Sequence, residues 1–239
     1  MQIDIEKYAQ VLLSDIGKIY TPTGFLRFQS EGGDLEKMQT FLLCPDTYVP
    51  GKMEVDLVEA NGFHKGFAVL PQDGINFIYM ASILNTAISW AVMTDGKLEK
   101  RSSITMKRLG NVPIRVLPAR EQQAVAYLHY LILDIGKQKK EGNNNPYLDY
   151  WASVYDQLRE AIALELVLPK VFKEYEIEML DSWCTLIGKC AAEYAEFEWT
   201  QLQDYLGKEL LAPQNVVTGN MNKLRVVMKT VLEQAKEKL

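Results

Sequence analysis

The twenty residues from Ile104 to Gln123 constrain the fold of this chain more than any other stretch, because four structural signals follow one another there. A polar loop leads into a short helical turn that ends at Gly110, and an extended segment follows that Pro113 interrupts. A helix begins after Pro118, since the N–H that proline lacks would have no partner at a helix start in any case. The stretch therefore predicts loop, turn, strand and helix in that order.

The residues before this stretch predict a mixture of helices and strands. Apolar side chains at helical spacing favour an opening helix, alternating and apolar runs favour strands, and Asn61-Gly62 is a strong hairpin signal. The predicted elements are an opening helix over Asp4–Tyr20, a strand over Phe25–Phe28, a buried strand over Phe41–Cys44, a hairpin over 53–70 and a buried helix over Ile75–Val92. The first part of the chain is thus predicted to hold a mainly antiparallel sheet with packed helices.

The residues after the stretch predict helices. Ala119–Lys140 carries an apolar stripe with lysines in its last turn, and Asn143-Asn144-Asn145-Pro146 ends it with linker composition. From Tyr147 to Leu239 the pattern is helical throughout, with a stop or kink at Pro169 and a loop over 212–220.

The charges are divided unevenly along the chain. Net charge is −5, from 26 basic and 31 acidic residues, so the chain as a whole lacks the basic composition typical of nucleic-acid binding. Residues 1–140, however, hold 16 Lys and Arg against 15 Asp and Glu, whereas 141–239 hold 10 against 16. If the chain binds DNA, the first part is therefore the better candidate for the contact.

A basic segment lies directly before and inside the constraining stretch. Cations here would bind DNA phosphates, and short hydroxyls would bond phosphates or base edges. The candidate DNA-binding residues are Lys97, Lys100, Arg101, Ser102, Ser103, Thr105, Lys107 and Arg108, with Arg27 and Gln29 added by residue type alone. The alternative interpretation of the segment is a solvated charged loop.

Two segments resemble a known family. Residues matching the pattern I-S/T-x-K-x-L-x-N-[IV]-P-I-x-[LV]-[LP]-P-x-x-E-Q are Ile104, Thr105, Lys107, Leu109, Asn111, Val112, Pro113, Ile114, Pro118, Glu121 and Gln122. Tyr79–Thr86 is similar to the family segment Y-L-x-x-L-L-N-S. The two matching segments follow one another in the same order as in the family. Together they resemble the target recognition domain of type I restriction specificity subunits and of single-chain type IIG restriction-modification enzymes. The early end of the helix near Gly142 departs from the long spacer helix of that family.

The resemblance implies an α+β target recognition domain over 1–118. The helical pattern of the residues that follow predicts a connecting helix over 119–142 and a small all-α domain over 143–239. It also implies recognition of a specific double-stranded DNA sequence, on which the chain would position adenine-N6 methyltransferase and endonuclease subunits or domains. Neither catalytic residues nor a cofactor or metal site is expected in the chain itself. A homo-oligomer is compatible with this role.

Other functions are weighed against this one. The alternative from another class is a non-catalytic protein-interaction module whose acidic helical part is the working surface. Asn145-Pro146-Tyr147 is similar to the base-holding motif of adenine methyltransferases, but its second proline and a glycine-rich cofactor loop are missing. The spacing of Asp73 and Asp95-Gly96-Lys97 imitates a metal-dependent nuclease, although Asp-Gly has a structural reason in a turn.

The cysteines and the apolar segments bear on location. Cys44, Cys184 and Cys190 form no CxxC pair, which favours buried reduced thiols. The longest apolar segment, Ile75–Val92, is interrupted by polar residues and is predicted to be a buried helix instead of a membrane span. The first residues lack the pattern of a signal peptide. We therefore expect a cytoplasmic protein without a membrane partner.

Overall fold

The computed structural model describes residues 3–30, 40–50, 55–59, 65–193 and 199–238. The chain divides into two compact units, one made of Ala9–Ala119 and the other of Met1–Tyr8 together with Arg120–Leu239. Helices account for 63% of the structure and strands for 14%, with antiparallel sheets and a helical C-terminal region. The predicted α+β class is confirmed.

The first unit is built on antiparallel strands. These are β1 Gln10–Leu12, β2 Gly17–Tyr20, β3 Thr40–Cys44, β4 Thr47–Tyr48, β5 Asp56–Glu59, β6 Phe67–Pro71, β7 Ser102–Ser103 and β8 Pro113–Arg115. The main sheet has four strands in the order β2-β6-β3-β5, while β1 pairs with β8 and β4 with β7 in two small sheets. Phe41, Leu42 and Cys44 are fully buried, which confirms the predicted buried strand.

The predicted hairpin is wrong in its pairing. Its turn, Asn61-Gly62, lies outside the described residues, but β5 and β6 do not pair with each other because β3 lies between them. Leu42 faces Leu57 of β5 on one side and Val69 of β6 on the other. The buried side chains of β3 place it centrally, because a strand that is apolar on both faces is most stable inside a sheet.

Short helices cover the sheet and link its strands. They are α1 Leu13–Ile16, α2 Pro22–Ser30, α3 Phe77–Leu84, α4 Ala87–Thr94 and α5 Met106–Gly110. Helix α2 carries Phe25, whose ring centroid lies 4.9 Å from that of Phe41, into a cluster with Ala68 and Leu70. One cluster of the core of this unit thus lies between α2 and the main sheet.

Two predictions at the start of the chain are wrong. The predicted helix Asp4–Tyr20 is a 3₁₀ turn followed by β1, α1 and β2, because the strands gain partners far along the chain. The predicted strand Phe25–Phe28 lies in helix α2. Its start is fixed by Thr21, whose Oγ1 accepts a hydrogen bond from the Gly24 N–H at 3.2 Å, and by Pro22 at the first helical position.

The predicted helix Ile75–Val92 is two helices, α3 and α4, bent by 69°. Asn85 causes the break: its side chain donates to Val55 O at 3.0 Å and accepts from Val55 N at 2.8 Å. Thr86 then takes an extended backbone conformation before α4 starts. Within the described part of the chain, no single helix has the length and apolar composition needed to cross a membrane, and only this bent pair meets that test jointly.

The stretch from Ile104 to Gln123 folds as predicted, with a loop, α5, β8 and a helix start in that order. The last of these elements is α6 Ala119–Lys140, with the predicted bounds. The remaining helices are α7 Tyr147–Val167, α8 Pro169–Glu174, α9 Met179–Glu193, α10 Trp199–Leu211 and α11 Val216–Lys238. The helical second part and the break at Pro169 are confirmed.

The predicted loop over 212–220 is shorter than expected, since α11 already begins at Val216. Asn215 caps this helix by accepting a hydrogen bond from the Thr218 N–H at 3.2 Å. Asn220, predicted in the loop, is a buried helical residue whose side-chain amide donates to Glu178 O at 3.0 Å. The tertiary contact of Asn220 stabilises a helical turn that the composition disfavours.

The two units differ from the predicted domains at their edges. Residues 3–8 belong with the helices, because Ile3 N donates to Asp181 Oδ1 at 2.9 Å and Ile5 is buried. The segment 120–142, predicted as a separate connector, is also part of the helical unit. Helix α9 packs against both α7 and α11. The cysteines Cys44, Cys184 and Cys190 are buried and form no disulfide bond, as predicted.

His129 makes the helical unit sensitive to acid. Its side chain is buried between helices, its Nδ1 has no hydrogen-bond partner among the described atoms, and burial together with the charge of Arg159 lowers its pKa from 6.5 to about 4. The folded state thus favours neutral His129, so stability present above pH 6.5 is lost as the pH falls through 4.

We expect His129→Gln to remove this pH dependence, because glutamine keeps a polar side chain without titrating. The difference in unfolding free energy between wild type and variant should change by about 3 kcal/mol between pH 7 and pH 4, at about 1.4 kcal/mol per pKa unit. Urea unfolding followed by circular dichroism measures it. If the difference in unfolding free energy between wild type and variant does not vary with pH, the lowered pKa of His129 is contradicted.

Candidate nucleic-acid interface

The predicted basic segment is held in place by the first unit. Strand β7, in the middle of the segment, pairs with β4, so that Thr47 faces Ser103 and Tyr48 faces Ser102. Tyr48 is buried, and its hydroxyl donates to Leu98 O at 2.9 Å. The Ile104 N–H donates to Asp46 O at 2.8 Å. The segment is therefore a fixed loop, which we call the basic loop (residues 95–108).

Asp95 organises the start of the basic loop. It ends α4 in the left-handed conformation with φ 58°, and its Oδ2 lies 3.0 Å from Lys97 Nζ and 3.5 Å from Arg108 Nη2. The hydrogen bond from Lys97, with the charges of Lys97 and Arg108, holds the pKa of Asp95 below its usual range. Asp95 joins the two ends of the loop and offsets part of the charge of these two cations.

The other cations of the basic loop differ from this pair. Lys100, Arg101 and Lys107 are exposed, and no carboxylate within the described residues forms an ion pair with any of them. An exposed cation without a carboxylate partner can neutralise a phosphate without first breaking an ion pair. These three side chains are the strongest candidates for contact with an anionic backbone.

The hydroxyls of the loop have structural partners. Ser102 Oγ donates to Lys100 O at 3.2 Å, and Thr105 Oγ1 accepts from the Arg108 N–H at 3.2 Å, which caps α5. Ser103 is exposed on β7. Ser102 and Thr105 thus shape the loop, whereas no side-chain hydrogen bond of Ser103 is present within the described residues.

Arg27 and Gln29 belong to another part of the unit. Both lie on α2, which packs against β2 and β6, whereas the basic loop is attached to α4 and β4. Arg27 is exposed, and Gln29 is described by its backbone alone. The structure therefore brings together the predicted residues between 97 and 108 and leaves these two on a separate element.

A cleft beside the basic loop contains residues that the sequence interpretation missed. It lies between β2 and α5, has a volume of about 760 Å³, and is lined by Ser14, Gly17, Lys18, Ile19, Tyr20, Met106, Lys107, Gly110 and Asn111. Lys18 Nζ lies 5.9 Å from the centroid of the Phe28 ring, on which Tyr20 stacks at 5.0 Å. The predicted helix over Asp4–Tyr20 hid this arrangement, because it made Lys18 an ordinary helical lysine.

The walls of the cleft meet at Gly110. A Cβ atom at this position would lie 3.3 Å from the Cβ of Ser14, so glycine allows α5 to approach α1 closely. Asn111 ends α5 and exposes its side-chain amide. The cleft thus combines two lysines, a phenol, a hydroxyl and an amide.

The two catalytic alternatives fall on structural turns. Asn145 Oδ1 accepts from the Tyr147 N–H at 3.0 Å, in the exposed turn between α6 and α7 of the helical unit. Asp95 forms the ion pairs with Lys97 and Arg108 described above. Within the described ranges, no three His, Cys, Asp or Glu side chains come together as metal ligands.

Comparison with protein-family models, with curated proteins and with solved structures finds no match for this chain.

Proposed function

We propose that the chain is a module that binds double-stranded DNA, and that the basic loop is its phosphate-binding edge. The observation that carries this is the group of exposed cations without carboxylate partners, Lys100, Arg101 and Lys107, on a loop fixed by Tyr48. A fixed loop loses little conformational entropy when it binds, so its charges act at full effect on a phosphate backbone.

Within that class, we propose a sequence-recognition module of a restriction-modification system. The resemblance of Ile104–Gln123 to the family pattern supports this proposal. The first unit would hold the DNA, and the helical unit would place adenine-N6 methyltransferase and endonuclease subunits on it. The chain itself would supply binding and no catalysis, in the cytoplasm where the DNA is.

Phosphate contacts would set affinity and register, while base contacts would set the target sequence. The exposed Ser103 and the long side chains of Lys100 and Arg101 extend from a fixed backbone, as base or phosphate contacts require. Because phosphate contacts set the affinity, we expect the affinity to depend strongly on salt concentration.

Charge reversal of the loop tests the proposal. The double variant Lys100→Glu with Arg101→Glu should bind duplex DNA at least about tenfold more weakly at moderate salt. The slope of log K against log salt should become shallower by about two, since each phosphate contact contributes about 0.9. Fluorescence anisotropy with labelled duplex between 50 and 200 mM salt measures both quantities.

The matched control is Lys170→Glu with Lys189→Glu, which makes the same charge change at exposed positions of the helical unit. This control should leave affinity within about twofold of wild type. If both double variants weaken binding equally, net charge and not the basic loop explains the effect. If the loop variant changes neither affinity nor slope, the proposed DNA edge is wrong.

A second candidate function is a protein-interaction module. One observation favours it: the helical unit exposes large apolar side chains, with Val226 84% exposed, Tyr147 and Val216 66%, and Leu211 64%. Such side chains are common at protein interfaces, though single exposed ones also occur on ordinary surfaces. Wild-type protein that shows no salt-dependent duplex binding would favour this candidate over the first.

A further inference from the structure

The cleft between β2 and α5 has one wall made by an edge strand. β2 is the outer strand of the order β2-β6-β3-β5, so one of its sides has no partner strand among the described residues. The Gln72 N–H donates to Ile16 O at 2.8 Å, and Gly17 faces Pro71, which has no N–H to give. In an antiparallel strand, successive residues direct their N–H groups alternately toward the partner strand and away from it. Because Ile16 bonds toward β6, the N–H groups of Gly17 and Ile19 point away from β6.

The cleft carries positive charge on both walls. Lys18 stands on β2 and Lys107 on α5; both are exposed, and neither forms an ion pair with a carboxylate in the described part of the chain. Asp15, close to Lys18 in sequence, accepts a hydrogen bond from the Leu12 N–H at 3.0 Å. The cleft is therefore lined by two lysines, and the Ile19 N–H points outward from β2. Ammonium and backbone N–H groups are donors suited to an anionic oxygen.

The cleft is continuous with the basic loop. Lys107 lines the cleft and is also part of the loop, one residue before Arg108, and Thr105 caps the helix that bears both. Met106 and Ile19 add apolar surface to the lining, as contact with a sugar requires. An extended polyanion that follows the basic loop would meet the cleft next.

We propose that this cleft is a second phosphate-binding site, which holds the DNA backbone where it leaves the basic loop. Lys18 and Lys107 contact the phosphate from opposite walls, and the Ile19 N–H is the third donor. This inference rests on the proposed function, since the polyanion is taken to be duplex DNA. The shared Lys107 favours a phosphodiester backbone over an acidic peptide, because the cleft then extends one continuous cationic track.

The test compares Lys18→Gln with Lys65→Gln, a change at another exposed lysine of the same unit. Duplex affinity is measured by anisotropy across a salt series. Lys18→Gln should weaken binding by about three- to tenfold and make the salt slope shallower by about one, whereas Lys65→Gln should change neither. Lys18→Arg should restore most of the affinity, since it keeps the charge.

Phosphate ethylation interference locates the contact. Lys18→Gln should abolish the interference of one phosphate, next to those affected by Lys100→Glu with Arg101→Glu. Unchanged circular dichroism and melting temperature would establish that an exposed lysine was replaced without unfolding.

The outcomes separate the two proposals. If the loop variant loses affinity while Lys18→Gln behaves like wild type, the cleft site is overturned and the proposed function stands. If wild type does not bind duplex DNA, the proposed function is overturned. If wild type instead binds a labelled poly-glutamate peptide and Lys18→Gln does not, the cleft is a protein-binding site and the phosphate assignment is overturned.

Discussion

Trp183→Ala should lower the free energy of unfolding of the helical unit by about 5 kcal/mol. Trp183 lies on α9, is fully buried, and donates from its indole N–H to Ala124 O on α6 at 2.7 Å. Truncation of a buried tryptophan to alanine costs about 3–5 kcal/mol through lost burial and the remaining cavity, and the lost hydrogen bond adds about 1 kcal/mol. A loss of this size is a large fraction of the stability of an ordinary domain.

Urea unfolding followed by far-ultraviolet circular dichroism measures this effect, because the signal is dominated by helices. Leu211→Ala is the control: Leu211 is 64% exposed on α10, so its truncation should change stability by less than about 0.5 kcal/mol. A loss below about 2 kcal/mol for Trp183→Ala would contradict the central position of α9. Trp183→Phe should fall between the two, because it keeps most of the apolar area and loses the hydrogen bond.

The helical half of the fold could be predicted from the sequence because its signals are local. Apolar residues at helical spacing define α6 and α7, and Pro169 marks the break before α8. The stretch from Ile104 to Gln123 is similarly local, since Gly110 and the prolines act on their immediate neighbours. Where neighbouring residues determine the backbone conformation, sequence patterns are sufficient to predict the secondary structure.

The missed elements depend on partners that are distant in sequence. Val11 lies in a strand because it pairs with Ile114, and Ile19 because it pairs with Val69. Asn85 breaks the predicted long helix because its amide bonds the backbone of Val55. No periodicity in the sequence reveals such contacts, and tertiary pairing overrides local preference in short segments.

The candidate site divides in the same way. The cations of the basic loop lie close together in the sequence, so a count of charges was sufficient to identify all five. Only the structure separates Lys100, Arg101 and Lys107 from the two cations that pair with Asp95. Lys18 was missed because only the main sheet and the close approach at Gly110 bring β2 beside α5. The role of Asp95 as a bridge also required the structure, since its carboxylate meets Arg108 across the whole loop.

Among the titrating side chains of the helical unit that the structure describes, replacement of Glu165 by glutamine should change the pH dependence most. Glu165 is a buried residue of α7, and its Oε2 accepts from the Leu180 N–H at 2.7 Å at the start of α9. Burial, opposed by the backbone hydrogen bonds of Leu180 and Met179 and reinforced by the charges of Glu178 and Asp181, raises its pKa from 4.5 to about 8.

The folded state therefore favours protonated Glu165, because its pKa is raised above that of the unfolded chain. The stability that this provides is fully present below pH 4.5 and is lost as the pH rises through 8. A glutamine accepts the same hydrogen bond and never ionises. Relative to wild type, Glu165→Gln should gain about 4 kcal/mol of unfolding free energy between pH 4.5 and pH 9, from a shift of several pKa units at about 1.4 kcal/mol each.

Denaturant unfolding of both proteins across this pH range gives the difference directly, and groups common to both cancel. Glu174→Gln, the same replacement at an exposed position of α8, should show a difference that stays flat with pH. If Glu165→Gln is instead less stable than wild type at pH 9, the ionised carboxylate stabilises the start of α9 and Glu165 is a charged helix cap. The flat control together with a rising difference for Glu165→Gln would identify this buried carboxyl as the group that weakens the helical unit in alkali.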